Sequence, residues 1–270
     1  MRLINIRPGR HGRLLLACLP FFLLALAYLT GSALRLAENP ADRLLPSLQA
    51  LGESIERLAF QPDRRTGQIL LWADTWASLS RLWAGLGVSV VIALTLGVLA
   101  GLVPLARALL GPFVAFVSMV PPLALLPVLL IFLGLGDLSK VALIVIGVAP
   151  ILTRDLALTV ENLPRELIVK AQTLAASSWL VALRVVLPMV LPRLIDSLRL
   201  QLGPAFLFLI AAEAISSDQG LGFRIFLVRR FFAMDIIFPY VAWITLLAVM
   251  MNWALIVLRR RLFPWAEGAR

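Results

Sequence analysis

The sequence predicts an all-α polytopic membrane protein with six transmembrane helices and a short cytoplasmic helix between the fourth and the fifth. Three observations lead to this prediction. Hydrophobic residues make up 61% of the 270 positions, and the mean hydropathy is +0.94. Several apolar runs are long enough to cross a bilayer core of about 30 Å. The net charge of +10 falls on one side of the membrane if both termini are cytoplasmic, as the positive-inside rule requires.

The first 75 residues combine a tail, a span and a polar connector. A basic tail precedes the apolar run Leu14 to Thr30, which is long for the apolar part of a signal peptide, so we interpret it as a retained first span. Leucine and isoleucine then recur at helical spacing between Leu45 and Leu58, with charged residues between them. We therefore expect an amphipathic helix on the extracytoplasmic membrane surface.

Five further apolar runs predict the remaining spans. They are Asp74 to Leu102, Pro112 to Leu133, Leu138 to Leu158, Leu194 to Ile215 and Ile236 to Leu258. In the first of these, Asp74 is expected to cap the helix, and Gly97 and Gly101 allow close packing, within the chain rather than between copies. In the next, Pro121, Pro122 and Pro127 are expected to bend the helix, because proline frees backbone carbonyls.

A half-polar stretch separates the fourth and fifth spans, from Glu161 to Pro192. Its pattern predicts two short helices at the membrane surface, of which the first presents the apolar edge Leu167, Ala171 and Leu174. Ser177 is expected to cap the second helix, which begins near Trp179 and ends at Pro188 and Pro192. Such a surface helix suits docking to a soluble partner, although an interfacial anchor is an alternative role for Trp179.

This stretch resembles the cytoplasmic coupling loop, or EAA loop, of the membrane subunits of ABC importers. That loop typically carries an acidic residue, two alanines, then Gly-Ala-Ser and later an LP pair. In the same order, the corresponding positions here are Val169-Lys170-Ala171, Ala175-Ala176-Ser177, and the two LP pairs Leu187-Pro188 and Leu191-Pro192. Val169 stands in place of the acidic residue, Lys170 in place of an alanine, and Ala175 in place of the glycine. The stretch VPPLALLPVLLIFLGLGDLSK is similar to a hairpin of the same importers, within the nitrate, sulfonate and taurine group.

The resemblance implies a bacterial inner-membrane permease subunit that moves a small solute by alternating access. It implies three kinds of partner: a second permease copy, cytoplasmic ABC ATPase subunits, and an extracytoplasmic solute-binding protein. The ATPase is expected to dock on Leu167, Ala171, Leu174, Ala175, Ser177 and Trp179. The core domain is predicted at residues 76–262, followed by a cytoplasmic tail at 263–270.

Polar residues in the predicted fifth span suggest a translocation pathway, since such residues are costly in lipid and usually face the bundle interior or water. Gln201, Glu213 and Ser216 are the candidates. For Glu213 an alternative is open, in which it pairs with Arg224 or another basic residue at the same end. Arg199 either attracts an anionic solute or extends to the interface.

Several functional classes lack their signatures. The sequence contains no G-x-x-x-x-G-K-[ST] motif, so it has no P-loop of its own, and it has no H-E-x-x-H motif. With Cys18 and His11 as the lone cysteine and histidine, we expect no metal, no cofactor and no catalytic residue. The basic residues face a membrane surface, so no nucleic acid is expected. A stand-alone secondary transporter and a non-transporting scaffold remain as alternatives.

Overall fold

The computed structural model describes residues 9–39, 42–64 and 66–267, and the predicted tails therefore lie partly outside the described residues. The described chain is 84% helical and contains no strand in these ranges. The helices are α1 Arg10–Glu38, α2 Leu48–Phe60, α3 Leu70–Leu102, α4 Pro104–Val117, α5 Pro122–Leu133, α6 Asp137–Glu161, α7 Arg165–Thr173, α8 Ser178–Ser216, α9 Leu221–Arg229 and α10 Met234–Leu262. The predicted all-α polytopic fold is confirmed.

Five of these helices are long and apolar enough to cross a membrane, namely α1, α3, α6, α8 and α10. The pair α4 and α5 passes the same test when taken together, since each member alone is too short, and the two members are bent by 80°. The predicted bend of the third span is therefore confirmed, and the described residues contain six candidate spans when this pair is counted as one. Pro121 and Pro122 lack the amide hydrogens that would carry a helix through this point, and the chain turns at residues 118–121.

The core lies where α3, α6 and α8 pack together. Leu86, Leu143 and Leu209 are among its fully enclosed side chains. Close approach of α3 to α6 depends on the glycines of α3: a Cβ on Gly97 would lie 3.0 Å from Cβ of Leu156, and one on Gly101 would overlap Val160. The prediction that Gly97 and Gly101 allow close helix packing within the chain is therefore confirmed.

The connector before α3 is organised by α2. Ser47 caps this helix by accepting a hydrogen bond from the backbone N–H of Ala50 at 3.1 Å. Its inner face buries Ser54 and Leu58. The prediction that Asp74 caps the next helix is wrong, because α3 begins at Leu70 and Asp74 lies fully buried inside it. Apolar residues from Leu70 onward extend the helix by one turn beyond the expected start.

Helix α1 has few contacts with the rest of the chain. The most apolar stretch of α1 is wholly unburied. Tyr28 provides its attachment: the hydroxyl donates to the carbonyl of Pro46 at 2.6 Å, and the ring meets Phe238 edge to face. The surface of α1 is therefore available to lipid or to another chain.

Candidate functional site

The loop between α6 and α8 is built as a helix, a left-handed turn and a second helix start. Glu166 in the first turn of α7 and Lys170 in its last turn complement the helix dipole. After α7, the N–H of Ala176 donates to the carbonyl of Ala171 at 3.1 Å, and the N–H of Ala175 donates to Gln172 at 2.9 Å. These two bonds define a Schellman motif.

Residue Ala175 occupies the left-handed position of that motif, with φ of 59°. Glycine normally fills this position, because a Cβ makes the left-handed conformation cost about 1–2 kcal/mol. The chain therefore makes the sharp turn even with alanine in place of the family's glycine, and the strain lies in the backbone of residue 175. Backbone strain of this kind persists only where contacts with the surrounding structure hold the residue in the strained conformation.

The second helix starts at the expected cap and then continues further than expected. The side chain of Ser177 accepts a hydrogen bond from the N–H of Leu180 at 3.3 Å. The prediction that Pro188 and Pro192 end this helix is wrong, since α8 continues through both to Ser216. A π-helical turn at Ala182–Val186 directly precedes Pro188. It displaces the carbonyl that the proline ring would otherwise meet four residues back.

The six predicted docking residues do not share one face. Leu174 is 84% exposed and Trp179 is 72% exposed, on either side of the strained turn. Leu167 and Ala171 are half-buried, and Ala171 packs against the core, whereas Ala175 and Ser177 are exposed and shape the turn. Leu174 and Trp179 are the most exposed large apolar side chains of this loop, and burying them against a partner would be favourable.

A second cluster lies at the opposite end of the bundle and is centred on Glu213. This carboxylate is 0% exposed. It accepts hydrogen bonds from Nη1 of Arg81 at 2.7 Å, from the hydroxyl of Ser78 at 2.8 Å and from the N–H of Gly222 at 2.9 Å. The partner of Glu213 is therefore Arg81 on α3, rather than Arg224.

The guanidinium of Arg81 also reaches two further elements. Its Nε donates to Asp137 at the start of α6 at 2.7 Å, and Nη1 donates to the carbonyl of Gln219 at 2.9 Å. Lys140 lies beside Asp137 and donates to the carbonyls of Leu135 and Gly136, each at 3.2 Å. The Asp137 side chain is 64% exposed, whereas Arg81, Lys140 and Glu213 are buried. Opposite charges and hydrogen bonding make these three buried groups tolerable in a low dielectric.

Asp74 forms a neighbouring node. Its carboxylate accepts from Nε of Arg224 at 2.8 Å, from the hydroxyl of Tyr240 at 2.9 Å and from the N–H of Gly220 at 3.0 Å. A side chain on Gly220, whose φ is 133°, would come within 2.5 Å of the carboxyl carbon of Glu213. The turn after α8 is thus held by side chains of α3 and α8 together.

The predicted pathway residues are spread along α8 rather than gathered. Gln201 is half-buried, and its Oε1 is enclosed without a hydrogen-bond partner among the described residues. Glu213 lies about three helical turns further on. Ser216 is buried and donates to the carbonyl of Ala212 at 3.2 Å. The pathway role of all three stays a prediction.

Ion pairs also join the helices at the loop end. Arg107 pairs with Glu161, which joins α4 to α6. Asp155 of α6 accepts from Arg193 of α8 at 3.1 Å and from the hydroxyl of Ser197. Arg199 donates to Asp196 at 3.1 Å and to Asn252 of α10 at 3.0 Å. The side chain of Arg199 is thus held within α8 by Asp196 and across to α10 by Asn252.

Sequence reasoning missed Asp74, Ser78 and Arg81 as buried members of this polar cluster, and Asp137 as the exposed partner of Arg81. The available signal was Arg81 itself, because a basic residue that lies among leucines near a span is costly and calls for a partner. Within the described residues, no group of three His, Cys, Asp or Glu side chains is arranged to hold a metal ion.

Comparison with known proteins agrees with the geometry. The family model described as "Binding-protein-dependent transport system inner membrane component" matches residues 93–267. The taurine transport system permease protein TauC of Escherichia coli K12 is 37% identical over 196 residues, which cover 72% of this chain and 71% of that protein. The bicarbonate transport system permease protein CmpB of Synechococcus elongatus is 34% identical over 158 residues, covering 58% and 56%.

A solved structure shows the same fold. The inward-facing MetNI methionine ABC transporter contains a chain that matches with a TM-score of 0.63 at 18% identity, covering 71% of this chain and 97% of that one. The resemblance noted in the loop and the hairpin is therefore confirmed, and the protein is a multi-pass inner-membrane permease. The chain belongs to the family of binding-protein-dependent transport system inner membrane components, the permease subunits of ABC importers.

Proposed function

We propose that the chain and a second copy of itself form the alternating-access pathway of an importer for a small sulfonate, taurine-like or nitrate-like solute. A separate binding protein delivers the solute, and cytoplasmic ATPase subunits drive its passage. The likeness to the taurine permease, 37% identical over 196 residues, supports this class of solute. The unburied surface of α1 is available for contact with the second copy.

The proposed ATPase-docking site is the loop between α6 and α8, residues 162–177, which includes α7 and the Schellman turn. We call it the docking loop. The observation that carries this proposal is the exposure of Leu174 and Trp179 beside a turn whose backbone is strained at Ala175. Ile168 and Ala171 pack against the hydrophobic core and fix the orientation of α7, and Leu167 is half-buried. Ser177 holds the second helix start, so that the two apolar side chains keep a fixed separation.

A charge substitution tests the docking site. Leu174→Asp places a carboxylate where an apolar contact would be buried, so we expect the tagged permease to lose its ATPase on purification while its membrane level is unchanged. The matched control is Leu48→Asp, which makes the same change at an exposed leucine beyond the other end of the bundle. Normal ATPase recovery with Leu174→Asp would count against the docking site.

Both termini and the docking loop are proposed to be cytoplasmic. This orientation assigns the net charge of +10 to the cytoplasmic side. In a Cys18→Ser background, Ser177→Cys gives one exposed thiol on the loop. We expect a membrane-impermeant maleimide to label it in inverted membrane vesicles and not in intact spheroplasts. The reverse pattern would exclude an ATPase contact from this loop.

Gln201 is the proposed solute contact in the pathway. Its enclosed amide oxygen has no hydrogen-bond partner in the part of the chain that the structure describes, so it is available to a polar solute. Gln201→Leu is expected to lower taurine uptake by reconstituted vesicles while ATPase recovery stays normal. Unchanged taurine uptake in this variant would remove Gln201 from the pathway.

A further inference from the structure

Helices α6 and α8 are joined to each other at both ends. At the end far from the docking loop, one guanidinium bridges them: Arg81 donates to Asp137 of α6 and to Glu213 of α8, each at 2.7 Å. At the loop end, Asp155 of α6 accepts from Arg193 of α8 at 3.1 Å, a weaker contact that solvent screens because the Arg193 side chain is 53% exposed. Two helices tied at both ends cannot separate at one end without breaking one of these ionic contacts.

The middle of the same pair is closely packed. The ring of Phe208 on α8 lies directly over Gly147 of α6, where a Cβ would overlap it. Packed helix surfaces resist gradual deformation because each side chain fills its neighbour's space. The pair therefore has three points of attachment along its length.

The far-end contact includes α3 and the turn that follows α8. Ser78 of α3 donates its hydroxyl to Glu213 at 2.8 Å and accepts from the N–H of Leu221 at 2.8 Å. The N–H of Gly222 donates to Glu213 at 2.9 Å. Glu213 therefore fixes α3, α8 and the start of α9 in one arrangement.

Stability alone does not account for such a cluster. Replacing a buried ion pair by well-packed apolar side chains is often neutral or stabilising. A directional network instead selects one relative geometry of the elements that it joins. The docking loop connects α6 directly to α8 in the chain, so any displacement of the loop acts first on this pair.

We propose that Ser78, Arg81 and Glu213 are positioning residues for transport, which close the far end of a rigid lever formed by α3, α6 and α8. A movement imposed at the docking loop then reaches the opposite end of the bundle instead of being absorbed by separation of α6 from α8. This inference rests on the proposed function, because it assumes that an ATPase moves the loop.

A distance measurement tests the rigidity directly. In a Cys18→Ser background, spin labels on Leu138→Cys and Ile215→Cys report the separation of the far ends of α6 and α8, since both positions are exposed. Expression with an excess of unlabelled chain gives complexes in which one copy carries the labels. We expect one narrow distance, unchanged between nucleotide-free and nucleotide-trapped complexes. A distance that shifts with nucleotide would overturn the proposal.

Two variants test the role in transport. Glu213→Gln keeps the side chain's size and removes the charge that Arg81 binds, and Ser78→Ala removes one hydrogen bond and serves as the milder change. For Glu213→Gln we expect a broadened α6–α8 distance and roughly tenfold less taurine carried per ATP hydrolysed. For Ser78→Ala we expect a smaller loss of the same ratio. Glu53→Gln is the matched control, because this carboxylate is exposed and accepts a hydrogen bond from Gln49 of its own helix.

The ratio of solute to ATP separates positioning from fold support, because misfolded complexes lose uptake and hydrolysis together. An unchanged ratio in Glu213→Gln complexes, with wild-type ATPase recovery, would show that the cluster serves the fold alone. If the wild-type chain co-purifies with no ATPase, that result counts against the proposed function. The distance between the labels on α6 and α8 in the purified chain would still report the rigidity of the lever.

Discussion

Phe208 of α8 covers Gly147 of α6 so closely that residue 147 has no room for a side chain. This contact lies between the two helices that flank the docking loop in the chain. It sets how closely α6 and α8 approach each other at this point.

Gly147→Val is expected to destabilise the protein by about 1–3 kcal/mol, since the added methyl groups overpack the contact with Phe208. The measurement is the free energy of unfolding in a denaturant titration of the purified chain. Gly203→Val is the control, because a Cβ there meets nothing within 4 Å. Equal losses of unfolding free energy in the two variants would show that glycine is required for backbone reasons. Partial recovery of stability in the double variant Gly147→Val with Phe208→Leu would support the steric account.

Ala175→Gly is expected to stabilise the docking turn by about 1 kcal/mol, because glycine adopts a positive φ without the Cβ conflict. Hydrogen exchange of the Ala176 amide, which donates to the carbonyl of Ala171, measures the effect. We expect this amide to exchange more slowly than in the wild type. Ala176→Gly, next to the strained position, should instead speed the exchange, and the same sign in both variants would contradict the assignment of strain to residue 175.

Asp74→Asn is expected to cost about 3–5 kcal/mol, the usual effect of leaving one partner of a buried ion pair uncompensated. The side chain of Arg224 is 16% exposed and depends on this carboxylate, as does the hydroxyl of Tyr240. Thermal unfolding of the purified chain is the measurement. Asp218→Asn, at an exposed position in the adjacent turn, should leave the melting temperature within error.

Arg193→Met is expected to cost less than about 1 kcal/mol, in contrast to the buried pair at the other end. The side chain of Arg193 is 53% exposed, and solvent screens its attraction to Asp155. The same unfolding assay at low and high salt checks this, and we expect the small difference from wild type to shrink in high salt. A loss as large as that of Asp74→Asn would mean that the loop-end pair is far less solvated than its exposure indicates.

Local patterns predicted most helices because helix formation depends on spacing and length, which are written in neighbouring residues. The apolar runs predicted five of the six spans as helices, and Ser177 was identified as a cap from its position alone. Errors arose at prolines. The bend at Pro121 and Pro122 was expected, but Pro188 and Pro192 were expected to end a helix that instead continues beyond a π-helical turn. Whether a helix ends or adjusts at a proline depends on surrounding packing, which no local pattern contains.

The sequence by itself determined that this chain is a helical membrane protein with a half-polar segment between two apolar runs, because hydropathy and helical periodicity are local properties. Only the tertiary structure decided that Glu213 binds Arg81, 132 positions away, while Arg224, 11 positions away, binds Asp74. The physical reason is that a buried charge takes the partner that helix packing brings within hydrogen-bond distance. That choice depends on how α3, α6 and α8 fit together, and their fit is a property of the assembled bundle.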